Sequence, residues 1–326
     1  MEPKTLQQAI VYFADPDNCV RYLVDRRWPN GVVCPTCGRS DVSYVAKRRV
    51  WQCKSRHPKC QFSAKVGTVM EDSPIGLDKW LMAMWMVANC KNGISSWEIH
   101  RSLGVTQKTA WFLLHRIRLA MRDERDHKFG FGGPVESDET YIGPNPRKMH
   151  ADRRQDYQSR RGKGMRGDVF IGKTAVHGIL DRELRQIRAQ ALQKVKRETL
   201  QNLILANVTP FAKVYTDAAV FYDYLNNKYF HKVVDHSKEY VNGQVHTQGI
   251  ENFWSLLKRG LRGTYIAVEP FHLDRYLDEQ VFRYNNRATK DNPLDDGDRF
   301  ALAVTQIVGK RVTYRELTGK DAARQD

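Results

Sequence analysis

The chain has 326 residues, of which 41% are hydrophobic and 10% aromatic, which excludes wholesale disorder and allows two or three packed domains. Its net charge of +16 indicates a polyanionic partner such as nucleic acid. No run approaches the roughly 18 apolar residues of a membrane span, and the N-terminus lacks a signal-peptide pattern. We therefore expect a cytoplasmic protein that is not associated with a membrane.

Four of the six cysteines have the spacing of a zinc ribbon. Cys34 and Cys37 form a C-x2-C pair followed by glycine, a turn that directs two thiolates toward one point. Fifteen residues separate Cys37 from Cys53, a gap typical of zinc ribbons. Six residues, in place of the usual two, separate Cys53 from Cys60, and His57 lies between them as an alternative ligand. We expect a structural zinc ion held by Cys34, Cys37, Cys53 and Cys60.

Three helices are predicted after the cysteines, over residues 77–90, 95–103 and 106–121. A turn at Gly104 and Val105 separates the second from the third, and Thr106 is a suitable N-cap for the third. A helix, a glycine turn and a capped helix form the helix-turn-helix layout, in which the second helix enters the major groove by its N-terminal end. The predicted DNA contacts on this helix are Gln107, Lys108 and Arg116.

From residue 135 the pattern changes to three consecutive strands and then to alternating helices and strands. This order predicts an α/β sheet of mixed direction. The predicted strands cover residues 135–143, 173–182, 184–192, 212–217 and 229–237. Helices are predicted at 196–208 and 219–226, and a further helix follows the last strand.

Three acids occupy positions where such sheets carry chemistry. Asp138 lies in the first of these strands, Asp217 ends the fourth, and Glu251 lies on the helix after the last. Carboxylates that converge without basic partners repel one another, and a divalent metal is the usual remedy. Two Mg²⁺ ions about 3.5–4 Å apart can activate an attacking hydroxyl and stabilise the leaving oxygen of a phosphodiester. Glu136 and Glu139 are rivals of Asp138, and each acid could instead serve as a turn or cap residue.

The helix that carries Glu251 also carries several bases. Lys258 follows Glu251 by seven residues, which is two helical turns, so the two side chains share one face. Arg262 continues this face. We expect Glu251 to hold a metal while Lys258, Arg259 and Arg262 bind the nucleic acid on which the metal acts.

Taken together, these segments resemble the DDE transposases of bacterial insertion sequences, in particular the ISXO2-like group with an N-terminal zinc ribbon. The motifs that carry the resemblance are "CPTCG", "FSAKVGTVMEDSPIGLDKWLMAMWMVANCKNGISS", "VESDETYIG", "VYTD" and "VHTQGIENFWSLLKRGLRGTY". The likeness extends from the zinc ribbon to about Asn286.

The resemblance implies a ribonuclease-H-like catalytic domain in which Asp138, Asp217 and Glu251 bind Mg²⁺ or Mn²⁺, with Lys258 as the basic residue that follows the last acid. Some members of the group use Asn or His as the third ligand, so Asn252 and His246 are alternatives to Glu251.

The activity implied is that of an enzyme that binds the terminal inverted repeats of an insertion sequence, cleaves the DNA at its ends and transfers the strands to a target. Its partner would be double-stranded DNA, and the joining of two ends calls for at least a homodimer. Two alternatives are a DNA-binding regulator with a degenerate catalytic fold and a metal-dependent nuclease that cleaves without joining.

The expected fold class is an α/β, ribonuclease-H-like mixed-sheet catalytic domain preceded by a zinc ribbon and a helix-turn-helix segment. The expected parts are an N-terminal helical segment (1–30), the zinc ribbon (31–66), the helix-turn-helix region (67–125), the catalytic domain (130–290) and a C-terminal tail (291–326). Residues 147–166 contain eight Lys and Arg against two Asp. We predict that this segment is a mobile loop that binds DNA phosphates without sequence preference.

Overall fold

The computed structural model of the protein describes residues 2–144, 149–152, 155, 172–217, 225, 228–234 and 246–319, with the backbone alone at residues 217 and 234. Most of the basic segment 147–166 and most of the predicted helix 219–226 lie outside the described residues. The chain forms two compact units, Met1–Arg122 with Asn286–Asp326, and Asp123–Asn285. Within the described ranges, no helix is long and apolar enough to cross a membrane.

The first unit begins with two capped helices and a small antiparallel sheet. The elements are α1 (Leu6–Phe13), α2 (Pro16–Arg27), β1 (Val42–Val45), β2 (Val50–Cys53) and β3 (Gln61–Phe62). The side chains of Thr5 and Asp15 accept hydrogen bonds from backbone N–H groups in the first turns of α1 and α2, which would otherwise have no partner in the helix. Strand β2 lies in the centre of the sheet, between β1 and β3.

The three helices predicted after the cysteines are confirmed, and each end lies within one residue of the prediction. They are α3 (Leu77–Asn89), α4 (Ser96–Leu103) and α5 (Gln107–Ala120). Ser95 and Thr106 lie just outside α4 and α5 because they are the N-cap residues. Gly104 ends α4 with a φ of 60°, a left-handed conformation that glycine adopts readily.

The second unit contains the predicted mixed sheet. Its strands are β4 (Val135–Ile142), β5 (Thr174–Asp181), β6 (Gln186–Leu192), β7 (Lys213–Asp217) and β8 (Phe230–Val234), in the spatial order β6-β5-β4-β7-β8. Strands β4, β5 and β6 pair antiparallel, whereas β7 pairs parallel with β4, and β8 pairs parallel with β7. Its helices are α6 (Arg197–Asn207), α7 (Gln248–Gly260) and α8 (Leu273–Asn285).

Both faces of this sheet are buried, and each contributes to a separate hydrophobic core. On β5, Ala175 and Ile179 belong to the core that includes residues of α6, and Val176 and Leu180 belong to the core that includes residues of α7 and α8. Successive side chains of a strand point to opposite faces. The sheet is therefore a middle layer, with α6 on one side and α7 and α8 on the other.

After residue 285 the chain becomes part of the first unit again. Two helices follow, α9 (Asp296–Thr305) and α10 (Tyr314–Leu317). Phe300 is fully buried and its ring stacks on Tyr22 with the ring centres 5.3 Å apart. Lys310 donates hydrogen bonds to the carbonyl oxygens of Ala120 and Arg122 at the end of α5. Residues 296–319, predicted to belong to a C-terminal tail, thus complete the core of the first unit.

Candidate active site

Strand β4 and helix α7 contact each other at two matched positions. The backbone N–H of Ile250 donates to Oε2 of Glu136 at 2.7 Å, and the indole Nε1–H of Trp254 donates to Oδ2 of Asp138 at 2.9 Å. From Glu136 to Asp138 the strand advances about 6.7 Å, and from Ile250 to Trp254 the helix advances about 6 Å. The two contacts therefore have nearly the same spacing along the strand and along the helix. Helix α7 therefore runs along β4, with its first turn beside Glu136 and its second turn beside Asp138.

Gly178 on β5 allows α7 to approach the sheet. It is the register partner of Asp138, so both residues face α7. A Cβ atom at this position would lie 2.7 Å from two ring carbons of Trp254 and 3.1 Å from Cδ1 of Ile250. The absence of a side chain leaves the space from which the Trp254 ring reaches Asp138.

Glu136 is fully buried and holds the first turn of α7. Besides the N–H of Ile250, its carboxylate accepts a hydrogen bond from Nε of Arg182. The Arg182 guanidinium also donates to the carbonyl oxygen of His246, and its Nη2 lies 2.8 Å from Nδ1 of the same histidine. A carboxylate at a helix N-terminus is further stabilised by the helix dipole. Glu136, a rival of Asp138 on sequence grounds, thus joins the strand to the helix, and His246 contacts Arg182.

Glu251 is exposed in the first turn of α7, as is its neighbour Asn252. The hydroxyl of Thr247, a residue only 1% exposed, donates to Oε1 of Glu251 at 3.0 Å. Thr247 is the N-cap residue of α7, but its side chain orients this carboxylate and makes no capping hydrogen bond.

On the opposite face of the sheet, His177 of β5 packs beside Ser137 and Glu139 of β4. Its Nε2 lies 2.9 Å from Oγ of Ser137 and 3.9 Å from Oε1 of Glu139. Burial lowers the pKa of His177 to about 4. The imidazole is therefore neutral at pH 7.

An open cavity of about 580 Å³ brings together the acids and bases of this region. It is lined by Asp138, Glu139, Glu251, Lys258, Arg259 and Arg262, among others. Burial lowers the pKa of Lys258, and the charge of Arg262 acts in the same direction while Asp138 opposes it. Glu251 and Lys258, predicted to share a helix face, line the same cavity.

Asp217 is the last residue of β7, next to β4 in the sheet. In the parallel pairing of the two strands, Glu136 is opposite Tyr215. Asp138 and Asp217 each follow this pair by two residues, so they extend the same end of neighbouring strands, which lie about 4.8 Å apart. The backbone thus brings Asp217 to the cavity end of β4, and its side chain lies outside the described part of the structure.

The cysteine region contains a metal-binding group, formed by Cys34, Cys37, Cys53 and His57, whose ligand atoms all lie within 4.8 Å of one another. Tetrahedral zinc places two sulfur ligands about 3.8 Å apart and a sulfur and a nitrogen about 3.5 Å apart. The Sγ atoms of Cys37 and Cys53 are 3.7 Å apart, and Sγ of Cys34 is 3.5 Å from Nε2 of His57. The group fits zinc.

The fourth member of this group differs from the residue expected. Cys60 is not part of it; its carbonyl oxygen accepts the backbone N–H of Cys53 at 2.8 Å, at the entry to β3. The turn after Cys53 brings His57 to the group instead. Burial acts to raise the pKa of Cys53, but hydrogen bonds from His57 and from the backbone of Ser55 lower it to about 6, and a thiolate is the form that binds metal.

Two of the three DNA contacts predicted on α5 lie in its first turn, where Lys108 is exposed and Gln107 is half-buried. The amide of Gln107 donates to the hydroxyl of Ser96 at 2.9 Å, which links α5 to α4. The Lys108 ammonium lies 4.7 Å from the ring centre of Tyr314, a residue of α10. The C-terminal segment therefore lies beside the end of the helix that was predicted to enter DNA.

Arg116 was wrongly predicted as a DNA contact. Only 4% of it is exposed, and its guanidinium donates to the carbonyl oxygen of Glu71 and lies over the ring of Trp80. Burial lowers its pKa to about 10. Arg116 lies three residues after Leu113 and next to Ile117, both buried, so it belongs to the core-facing side of α5.

Sequence patterns predicted no role for Gly178, Thr247 or Arg182 and no contact between Trp254 and Asp138. One signal was available for Gly178, because a glycine inside an apolar strand often marks the close approach of another element. Trp254 and Arg182 contact residues that are distant in the chain. The contact of Thr247 with Glu251 depends on the rotamers of both side chains. Local pattern gives no signal for them.

A mixed five-stranded sheet with acids on β4 and α7 around a basic cavity defines a ribonuclease-H-like domain of the DDE class. The ISXO2-like transposase domain matches residues 130–285, and the transposase zinc-ribbon domain matches residues 14–62. The chain belongs to the ISXO2-like transposases that carry a zinc ribbon.

Two further similarities were found. An uncharacterized protein in the transposable element ISH50 of Halobacterium salinarum is 29% identical over 277 residues, which cover 81% of this chain and 89% of that protein. A chain in the structure of the simian T-cell lymphotropic virus intasome in complex with PP2A regulatory subunit B56 gamma is 12% identical, with a TM-score of 0.27. That match covers 56% of this chain and 63% of the matched chain.

Proposed function

We propose that this transposase binds the terminal inverted repeats of an insertion sequence and catalyses metal-dependent DNA cleavage followed by strand transfer. The observation that carries the proposal is the cavity in which Asp138 and Glu251 lie together with Lys258, Arg259 and Arg262. Carboxylates supply the ligands that Mg²⁺ prefers, and the bases supply the positive charge that attracts DNA.

Asp138, Asp217 and Glu251 are the residues that would hold Mg²⁺ or Mn²⁺. Two such ions supply activation of the attacking hydroxyl and stabilisation of the leaving oxygen. The protein's own contribution is to keep the carboxylates in place. Trp254 directs one oxygen of Asp138, and Thr247 directs one oxygen of Glu251.

Helix α7 carries a single exposed acid in its first turn and several bases further along. The proposed function accounts for this combination, because the acid would hold a metal ion and the bases would bind a DNA phosphate. Arg259 and Arg262 are exposed, and Lys258 is half-buried at the wall of the cavity. A phosphate beside Glu251 would lie within reach of this face. Burial, together with the charge of Arg262, lowers the pKa of Lys258, and a DNA phosphate beside the ammonium group would favour its charged form.

The first unit would bind the DNA ends. A structural metal held by four protein ligands would stabilise the ribbon and would have no open position for chemistry. The first turn of α5 presents the exposed Lys108, with Gln107 beside it. Since transposition joins two ends, we propose that the active form on DNA is a homo-oligomer.

Purified protein incubated with Mg²⁺ and labelled duplexes from the DNA that flanks its gene should nick and join one of them. Asp138→Asn, Asp217→Asn and Glu251→Gln should abolish both reactions and leave binding intact. Glu198→Gln is the matched control, because Glu198 is an exposed acid in the first turn of α6, on the other side of the sheet. Normal cleavage by the Asp217→Asn variant would show that the site assignment is wrong.

Two other outcomes identify the alternatives. Cleavage without joining would identify a nuclease. Binding without cleavage by the unaltered chain, in either metal, would identify a regulator.

A further inference from the structure

A second, smaller cavity of about 220 Å³ adjoins the catalytic cavity. Lys258 and Arg262 line both. We infer that the smaller cavity receives one nucleobase that leaves the DNA helix next to the phosphate to be cleaved. This inference rests on the proposed function, since it concerns the same DNA.

The size and lining of the smaller cavity fit one flat ring. Its volume equals that of about seven water molecules at roughly 30 Å³ each and is below the roughly 300 Å³ at which pockets for drug-sized ligands begin. Apolar walls are contributed by Tyr141, Ile142, Leu261, Val268 and Pro270. A nucleobase has apolar faces and polar edges, so it suits such walls when its backbone remains in polar surroundings.

The two shared cations give the direction in which a nucleotide would lie. Lys258 and Arg262 are four residues apart on a continuous helical segment, so they lie one turn apart on one side. A phosphate bound between them in the catalytic cavity would leave the attached base at the mouth of the smaller cavity. The charged phosphate and the apolar base of one nucleotide would therefore lie in separate, adjoining cavities.

Ile266 stands at the rim of the smaller cavity in a strained conformation. Its φ of 62° and ψ of −61° are rare for a β-branched residue, and the N–H of Ala267 donates to the carbonyl oxygen of Tyr265 at 2.6 Å across a γ-turn. Its side chain is 83% exposed. Strain of this kind concentrates at functional sites. An apolar side chain held outward next to DNA can enter a base step and unstack it.

The test uses the full chain and the duplex that it nicks in the assay above, with 2-aminopurine placed in turn at each position near the nick. Fluorescence is read without divalent metal, so the signal does not depend on cleavage. We expect a rise at one position next to the cleaved phosphate and none at its neighbours. Ile266→Gly, which relieves the backbone strain and removes the wedge, should abolish the rise and slow cleavage about tenfold, the factor for one average stacking step.

An abasic site at the same position removes the base that must be displaced, so it should restore cleavage by the Ile266→Gly variant. Phe211→Ala is the control, because Phe211 is an apolar residue of similar exposure, 73%, that does not line either cavity. Cleavage without a fluorescence rise at any position, or an Ile266→Gly defect that the abasic site does not correct, would overturn the inference and leave the proposed function intact. Absence of all cleavage would instead count against the proposed function.

Discussion

Replacing Gly178 with alanine should displace the side chain that holds Asp138. The new Cβ would lie 2.7 Å from two ring carbons of Trp254, whereas carbon atoms in contact are about 3.5–4.0 Å apart. The ring, which is 4% exposed, must therefore move by at least about 0.8 Å. Its hydrogen bond to Asp138, 2.9 Å long, would be stretched or lost. Overpacking of this kind costs about 1–3 kcal/mol.

The free energy of unfolding, from urea titration, measures the steric part, and the rate of DNA nicking measures the loss of Asp138 orientation. Gly178→Ala combined with Trp254→Phe removes the clashing ring, so it should regain stability but not nicking activity. Gly263→Ala is the control, because a Cβ on Gly263 meets no atom within 4 Å. If Gly178→Ala changes stability by less than about 0.5 kcal/mol, the size of an ordinary surface substitution, the close packing of α7 on β5 is not as described.

Three further predictions concern other groups. Glu136→Gln keeps an acceptor for α7 but leaves Arg182 without its carboxylate, so it should lower the free energy of unfolding by about 3 kcal/mol; a urea titration that shows no loss would contradict the anchoring role. Burial lowers the pKa of His177 from 6.5 to about 4, so the unfolded chain takes up a proton in this window that the folded chain does not. Stability should fall by about 3 kcal/mol as the pH drops from 6.5 to 4, and a His177→Gln variant with an unchanged pH profile would refute this. His57→Ala should release zinc, measured with a chromogenic chelator, whereas Cys60→Ser should retain it; the opposite result would restore Cys60 as the ligand.

Much of the architecture could be predicted because it depends on local pattern. The change from helical to strand periodicity at residue 135 predicted the second unit, and N-cap residues such as Thr106 marked helix starts to within one residue. The spacing of Glu251 and Lys258 on one helix placed both in one cavity. These features involve residues close in sequence, where backbone geometry alone relates the side chains.

Arg116 and His57 show where such reasoning fails. On α5 the charge of Arg116 suggested solvent and DNA, but the aromatic and carbonyl groups that bury it come from elsewhere in the first unit. The choice of His57 over Cys60 depends on the path of a turn that spacing rules do not describe.

The amino-acid order by itself determined which residues could do chemistry: three acids at the ends of strands or the start of a helix, bases on one helix face, and thiols at ribbon spacing. Only the tertiary structure decided what holds them. Trp254 reaches Asp138 because Gly178, on a neighbouring strand, has no side chain, and Glu136 joins β4 to a helix 114 residues later. Contacts of this range depend on the packing of whole elements, which no local pattern contains.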